Sequence, residues 1–389
     1  PVAKVSHPTS CSDFRPISIT PILSRILEKL VVQKFFYPIL THPDHSLSFQ
    51  TQFAFRPTGS TTAALINLNH LLAELLLTHP FVHLIALDFS KAFDTVRHST
   101  LLDKCRGLPI PDNLYNWLAV YLGERKHCTR FGGVLSDPRP INASVVQGSG
   151  VGPIAFVINA SDLRTLNPGN SLNQYADDSY LVVPSKNSSL IPSELDHITE
   201  WADLNNLKLN VTKTKELIVH RPRTKLSDIP PASPGLTRVQ SINILGVTFQ
   251  GDLSFKLQAK KLVAQCAQSL YALRTLKAHG LKGSKLWEVT NSTLVARMVY
   301  ASPVWWRLLD AGCKQQLQAA LRKVVKQGFL KPDFKTIDVI CDDVDDRLFS
   351  NILRNKAHVL HRLLPPTKTH NHDLRPRPHN LAVPIIKDT

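Results

Sequence analysis

Two hydrophobic rhythms divide this chain. Up to about residue 250, short apolar runs of strand length alternate with helical patterns. After Gly251 the helical period takes over. Residues 1–20 read as extended and punctuated by proline. From Pro21 to about Ile39, Ile22, Ile26, Leu27, Leu30, Val31 and Phe35 recur at the 3–4 residue spacing of a helix. Residues 41–59 are a loop rich in His, Pro, Ser and Gly. Gly59-Ser60-Thr61-Thr62 then supplies an N-cap for a helix over about 61–78, which Pro80 ends. Phe81-Val82-His83-Leu84-Ile85-Ala86-Leu87 is a nearly unbroken apolar run, the pattern of a strand covered on both faces. It ends in Asp88.

A helix is expected next from Lys91 or Phe93 to about Arg106, and another over 114–122. Residues 126–146 read as β-rich, with Gly132-Gly133 as a turn. Pro153 suits a first helical turn, so a helix is expected to about Leu163. Asn173 to Val183 reads as a hairpin with Asp177 and Asp178 at or near its turn. A helix containing Trp201 follows over 193–207. Glu216–His220 and Ser241–Phe249 read as strands separated by a Pro/Ser linker at 221–237. Helices are expected over about 254–279, 283–307, 312–330 and 346–363.

Composition narrows the class. The chain has 389 residues, enough for two or three domains, and 43% hydrophobic content is ordinary for a globular protein. Lys and Arg number 46 against 30 Asp and Glu, a formal charge of +16 that points to nucleic acid or another anionic surface. The basic excess is concentrated late: residues 255–290 hold seven Lys/Arg and one acid, Glu288. Six scattered cysteines without a CxxC pair argue against a zinc knuckle or a disulfide framework, and suit a reducing compartment. His370 and His372 lie in a Pro/His/Arg-rich tail and read as loop residues rather than ligands. No apolar run approaches the ~20 residues that span a bilayer, and no signal peptide is present, so an intracellular protein of the nucleus or cytoplasm is expected. The chain starts at Pro1 and runs straight into patterned sequence, so it reads as a piece of a longer polypeptide.

Two adjacent carboxylates repel, and something must offset them. For Asp177-Asp178 that is either water on an exposed turn or a divalent cation. Asp88 is the candidate third carboxylate. At the tip of a buried strand it either caps the next helix or shares a cation with the pair. A strand-tip acid beside a hairpin pair makes an acidic cage open on one side, which suits two Mg²⁺ and in-line phosphoryl chemistry.

These pieces carry a resemblance. Asp13-Phe14-Arg15-Pro16-Ile17-Ser18, Gln52-Phe53-Ala54-Phe55-Arg56-Pro57, Leu87-Asp88-Phe89-Ser90-Lys91-Ala92-Phe93-Asp94, Gln147-Gly148-Ser149-Gly150-Val151-Gly152-Pro153, Tyr175-Ala176-Asp177-Asp178, Asn210-Val211-Thr212-Lys213-Thr214 and Leu245-Gly246-Val247 follow one another over residues 1–250. Together they resemble the reverse transcriptase domain of non-LTR (LINE-type) retrotransposons. The sequence departs from that pattern at Gly152-Pro153, where Ser-Pro is usual, and at Ile158-Asn159-Ala160-Ser161-Asp162.

The resemblance implies an α+β right-hand polymerase fold. Its fingers would be 1–80 with 107–145, and its palm 81–106 and 146–237 with a small antiparallel sheet. A primer-grip-like hairpin would be 238–253, a basic helical thumb 254–335, and a helical C-terminal region 336–389. It implies an RNA-directed DNA polymerase using two Mg²⁺, with Mn²⁺ as an alternative, and partners that are an RNA template, a DNA or RNA primer and dNTPs. Asp88, Asp177 and Asp178 would bind the metals, and the backbone carbonyl of Phe89 would complete one shell. Phe93 would lie under the incoming sugar and exclude a 2′-hydroxyl, unless it is only a core residue. Lys4 and Arg15 would grip the triphosphate, and Gln147 and Gly148 would touch the template and nascent pair. Lys213 would protonate the leaving pyrophosphate, unless it is a solvated loop lysine. Leu245-Gly246-Val247 would position the primer end. Two other readings share these residues: a catalytically inactive or domesticated RNA-binding protein, and an RNA-dependent RNA polymerase, against which Phe93 speaks.

Overall fold

The computed structural model describes residues 1–41, 49–221, 224, 229–367 and 381–382. His370, His372 and part of the 221–237 linker lie outside the described residues. The molecule is built on a five-stranded sheet. Strand β3 (Phe81–Leu87) runs through its middle, because its apolar run needs cover on both faces. The first two strands, β1 (Val2–Ala3) and β2 (Phe14–Arg15), form a separate small hairpin. Beside β3, β5 (Asp178–Pro184) pairs antiparallel on one side and β6 (Lys215–His220) antiparallel on the other. β4 (Ser171–Tyr175) closes one edge. β7 (Thr237–Val239) closes the other and lies parallel to β6, so the sheet is antiparallel except at this edge. A parallel neighbour cannot be joined by a tight turn, and the sequence spacing between β6 and β7 is long enough for the connection.

Side chains alternate across the sheet. Val82 and Leu84 join Tyr180, Val182, Leu217 and Val219 in one core, with helix α2 (Thr61–Thr78) and the C-terminal helices. Ile85 and Leu87 join Leu181 and Val183 in a second core, with helices α5 (Gly152–Asn159) and α6 (Ile191–Leu204). Continued by one residue, the alternation puts Asp88 and Asp178 on the same face, that of Leu84 and Tyr180.

Most expected elements form. Ser60 caps α2 by accepting from the Ala63 amide at 3.0 Å. The helix expected over 21–39 is α1 (Ile22–Val31), continued by a π-helical turn at Val32–Phe36 and a short helix at Tyr37–Thr41. Its apolar stripe does not all go inward. Glu28, Val32 and Phe36 are buried, while Ile22, Leu23, Ile26, Leu27 and Leu30 face outward. Gly132 and Gly133, both at positive φ, make the expected turn between Phe131 and Val134.

Four expectations are corrected. The helix expected from Lys91 or Phe93 to Arg106 is two, Ala92–Thr95 and α3 (His98–Arg106), with α4 (Asp112–Leu122) after them. The break arises because Val96 and Arg97 pair with a neighbouring segment: the Ser144 amide donates to Val96 O and the His98 amide to Asn142 O. The stretch Ser241–Phe249 is not one strand but a hairpin of β8 (Ser241–Ile244) and β9 (Val247–Gln250), which turns at Leu245-Gly246. The 254–279 helix forms as α7 (Lys256–Ala278), but the 283–307 helix stops after Met298 and restarts as a short turn at Ser302–Trp305. Ala301 at φ 52 makes the corner there. Helix α8 (Gly283–Thr290) is the first part of that run, and α9 (Ala311–Lys326) follows the corner. The last helix, α10 (Ile337–Arg354), begins earlier than 346 because Thr336 caps it and Asp-rich positions conceal its apolar period. Among the described residues no helix is long and apolar enough to cross a membrane.

Candidate active site

Tyr175 pairs with Asp178 across the β4–β5 hairpin, so the turn consists of Ala176 and Asp177 alone. Ala176 sits at φ 56, a conformation that a two-residue hairpin turn demands. The last pair between β3 and β5 is Leu87 with Ser179. Asp88 and Asp178 therefore stand at the next register step, on adjacent strands. The three acids feel one another. Burial, then the charges of Asp177 and Asp88, push the Asp178 carboxyl up to about 6. Burial also raises Asp177, and Asp88 adds to the effect, while its own backbone amide and the Arg15 guanidinium oppose it. Both side chains of the pair still reach solvent, and Asp88 is half-buried.

Three mutually repelling carboxylates at a wet sheet tip fit a divalent cation, since all their donors are hard oxygens and a cation would relieve the repulsion. Among the described residues no three Asp, Glu, His or Cys side chains already stand at ligating positions around one point.

The turn is held by a residue whose role the sequence did not reveal. Gln52 is buried beneath it, and its Oε1 accepts from the Ala176 amide at 2.9 Å and the Ala54 amide at 3.0 Å. Its Nε2 donates to the Ala176 carbonyl at 3.3 Å. Backbone bonds flank this clamp, from Phe53 N to Gln174 O and from Gln174 N to Thr51 O. Spacing alone carries no sign of this role. Glu28 is a second such residue, and here a sign exists: an acid shares the buried i, i+4, i+8 stripe with Val32 and Phe36. Its Oε2 accepts from the amides of Gly150 at 2.5 Å and Val151 at 3.2 Å, which anchors the loop before α5.

The other expected residues surround the acids to different degrees. Arg15 on β2 is exposed and near enough to Asp177 to act on its acidity. Lys4 belongs to the same small hairpin, its amide donating to Asp13 O at 2.7 Å. Asn210 N donates to Asp88 O at 2.7 Å, and Ser90 N to Lys208 O, which brings the turn with exposed Lys213 to the tip of β3. These bonds flank Phe89, whose buried ring packs edge-on against Trp201 at 6.1 Å. Phe93 is half-buried and stacks on Phe156 at 4.4 Å. The Gln147 side-chain Nε2 donates to Asp94 Oδ1 at 2.8 Å. Gly148 has φ 113, and a Cβ there would lie 2.6 Å from Ser18 O, so only glycine fits. The Leu245-Gly246 turn reaches Tyr180, two residues past Asp178, whose phenol is raised by burial first and by Asp178 and Asp177 after it, with the Leu245 backbone opposing.

Comparison with known proteins points one way. A family profile described as reverse transcriptase (RNA-dependent DNA polymerase) matches residues 2–249. The RNA-directed DNA polymerase from mobile element jockey of Drosophila melanogaster is 28% identical over 260 residues, which is 64% of this chain and 28% of that protein. The probable RNA-directed DNA polymerase from transposon X-element of the same fly is 25% identical over 337 residues, 81% of this chain and 35% of that one. The chain thus spans about a third of the length of these relatives. Among solved structures, a Candida tropicalis telomerase in complex with a TWJ fragment of telomeric RNA covers 87% of this chain and 51% of its own, at 14% identity and a TM-score of 0.43. That likeness is too faint to bear on the argument.

Proposed function

The chain belongs to the reverse transcriptase family, in its non-LTR branch, and we propose that it copies an RNA template into DNA for a mobile element of that kind. The family works with divalent metal, and Asp88, Asp177 and Asp178 would hold two Mg²⁺, or Mn²⁺, here. When bound, the ions lower the pKa of the attacking hydroxyl and neutralise the leaving oxygens. A primer 3′-hydroxyl attacks the α-phosphate of a dNTP; a new P–O bond forms, and the bond to pyrophosphate breaks.

The chain's own residues divide the remaining work. Arg15, across from Asp177, and Lys4 on the same hairpin grip the triphosphate; a guanidinium forks onto two phosphate oxygens. Phe93 lies under the incoming sugar, its ring fixed by Phe156, and its bulk excludes a 2′-hydroxyl. Gln147, oriented by Asp94, and Gly148 meet the template and the nascent pair. The Phe89 carbonyl would add a ligand to a bound metal, and Lys213 would supply a proton to the pyrophosphate. Residues 1–80 with 107–145 act as fingers, 81–106 and 146–237 as palm, 238–253 as primer hairpin and 254–335 as a basic thumb on the duplex. A reducing intracellular compartment, nucleus or cytoplasm, suits this work.

One observation carries the reading: β3 and β5 are neighbours, so Asp88, distant in sequence, faces the Asp177-Asp178 turn. The test is extension of a primer on an RNA template with dNTPs and Mg²⁺, beside Asp177→Asn. Extension by the parent alone is expected. RNA binding without extension would leave the inactive-protein reading standing, and preference for NTPs would favour an RNA polymerase.

A further inference from the structure

The β8–β9 hairpin turns on Leu245 at φ 46 and Gly246 at φ 88. Leucine is uncommon in the left-handed region and stays there only where its surroundings hold it. Much of that hold comes from outside the hairpin. The Tyr300 phenol oxygen, at the corner after Met298, lies 2.9 Å from Leu245 O and 2.9 Å from Thr61 Oγ1. A carbonyl only accepts, so the phenol donates to Leu245, and the Thr61 hydroxyl donates to the phenol. The ring of Tyr300 covers Gly246, where an added Cβ would stand 3.2 Å from it. Trp305 Nε1 donates to the Tyr300 carbonyl at 3.0 Å and fixes the tyrosine's own backbone. A cleft of about 490 Å³ opens beside the turn, with Gly246, Lys261, Gln265, Arg297 and Tyr300 in its walls. Its cations suit the backbone of a nucleic-acid strand passing the turn.

We propose that the chain Thr61–Tyr300–Leu245 sets the hairpin turn against the Asp177-Asp178 turn and so places the primer's 3′-hydroxyl, which makes Tyr300 a positioning residue for polymerisation. The inference rests on the reading of this hairpin as the holder of the primer end. It joins three distant parts of the chain: the first residue of α2, the corner between C-terminal helices, and the hairpin. Linked hydrogen bonds reinforce one another, so the two hydroxyls act as a unit.

The test is single-turnover nucleotide incorporation on an RNA template by the parent, Tyr300→Phe, Thr61→Val and the double variant. Tyr300→Phe keeps the ring over Gly246 and removes only the hydroxyl. Its incorporation rate constant should fall about fivefold, with primer–template affinity within about twofold of the parent and the burst amplitude unchanged. Thr61→Val should fall about twofold, and the double variant should be no slower than Tyr300→Phe. A lower amplitude with an unchanged rate constant in Tyr300→Phe would mean a merely structural role and would overturn the proposal, as would additive losses in the double variant. If Tyr300→Phe does not fold, Thr61→Val decides alone, since a parental rate constant there overturns the proposal. A parent that incorporates nothing defeats the polymerase reading itself, whereas an active parent matched by Tyr300→Phe defeats only this inference.

Discussion

Asp178 keeps its charge in a place that resists it, and that cost is measurable without any nucleic acid. Its carboxyl is pushed up to about 6, against an ordinary 3.8. The folded state therefore binds this proton more tightly than the unfolded chain does, and stability falls as pH rises from about 4 to about 6. Asp178→Asn should raise the melting temperature of the metal-free protein at pH 8. The gain should shrink as pH falls through 6 and vanish below about 4; since water reaches the side chain, it should stay under about 1 kcal/mol. A gain that persists at pH 3 would mean that charge is not the cause. Gln52 makes the opposite case. Gln52→Ala strips the buried Ala176 amide of its partner, so urea denaturation should register a loss of about 1–3 kcal/mol, and primer extension should slow with it. Only part of this was legible in neighbouring sequence: the repulsion of Asp178 by Asp177 is local, whereas its burial and the charge of Asp88 across the strand pair are not, and Gln52 depends on a turn more than a hundred residues away.

At the scale of elements, the central sheet is held from the side away from the acids by a buried network. Glu216 on β6 accepts from Ser233 Oγ at 2.8 Å and from Arg238 Nε at 2.8 Å, and its Oε1 lies 2.7 Å from His83 Nδ1 on β3. Burial pushes its carboxyl up, but the hydrogen bonds from His83, Ser233 and Arg238 outweigh that and hold it at about 2. A depressed acid contributes stability above its unfolded value of 4.5 and loses it as pH falls towards 2. Glu216→Gln should cost about 3 kcal/mol at pH 7 and flatten the acid limb of the stability curve; equal acid sensitivity in both proteins would refute the assignment. Element by element, legibility followed self-sufficiency. β3 and α2 were plain in the sequence because their apolar patterns, cap and Pro80 are local. The 92–106 break and the start of α10 were hidden, because pairing with 142–144 and a cap ahead of an acidic stretch decide them, while the β8–β9 turn, invisible in the apolar pattern, was legible only through the resemblance. The acids were found because Asp88 ends a strand pattern that only a central position satisfies. Gln52 was hidden because a neutral amide leaves no mark.

For the whole molecule, a charge of +16 favours a polyanionic partner such as nucleic acid. Lys260 and Lys261 are exposed on α7, beside the hairpin that the primer would reach. If they touch phosphates, Lys260→Ala and Lys261→Ala should each weaken template–primer binding without regard to sequence. Each should also reduce the slope of log affinity against log salt by about 1. Unchanged slopes would place the duplex elsewhere. The central claim is that Asp88, Asp177 and Asp178 act as one site. It is tested most directly by single-turnover incorporation of one dNTP on an RNA template by the parent, Asp88→Asn, Asp177→Asn and the double variant. Each single change should cost about a thousandfold or more, and the double should be no worse than the more damaging single, as for residues that work as a unit. An Asp88→Asn protein that keeps a tenth of the parental rate, or losses that multiply in the double variant, would contradict the account.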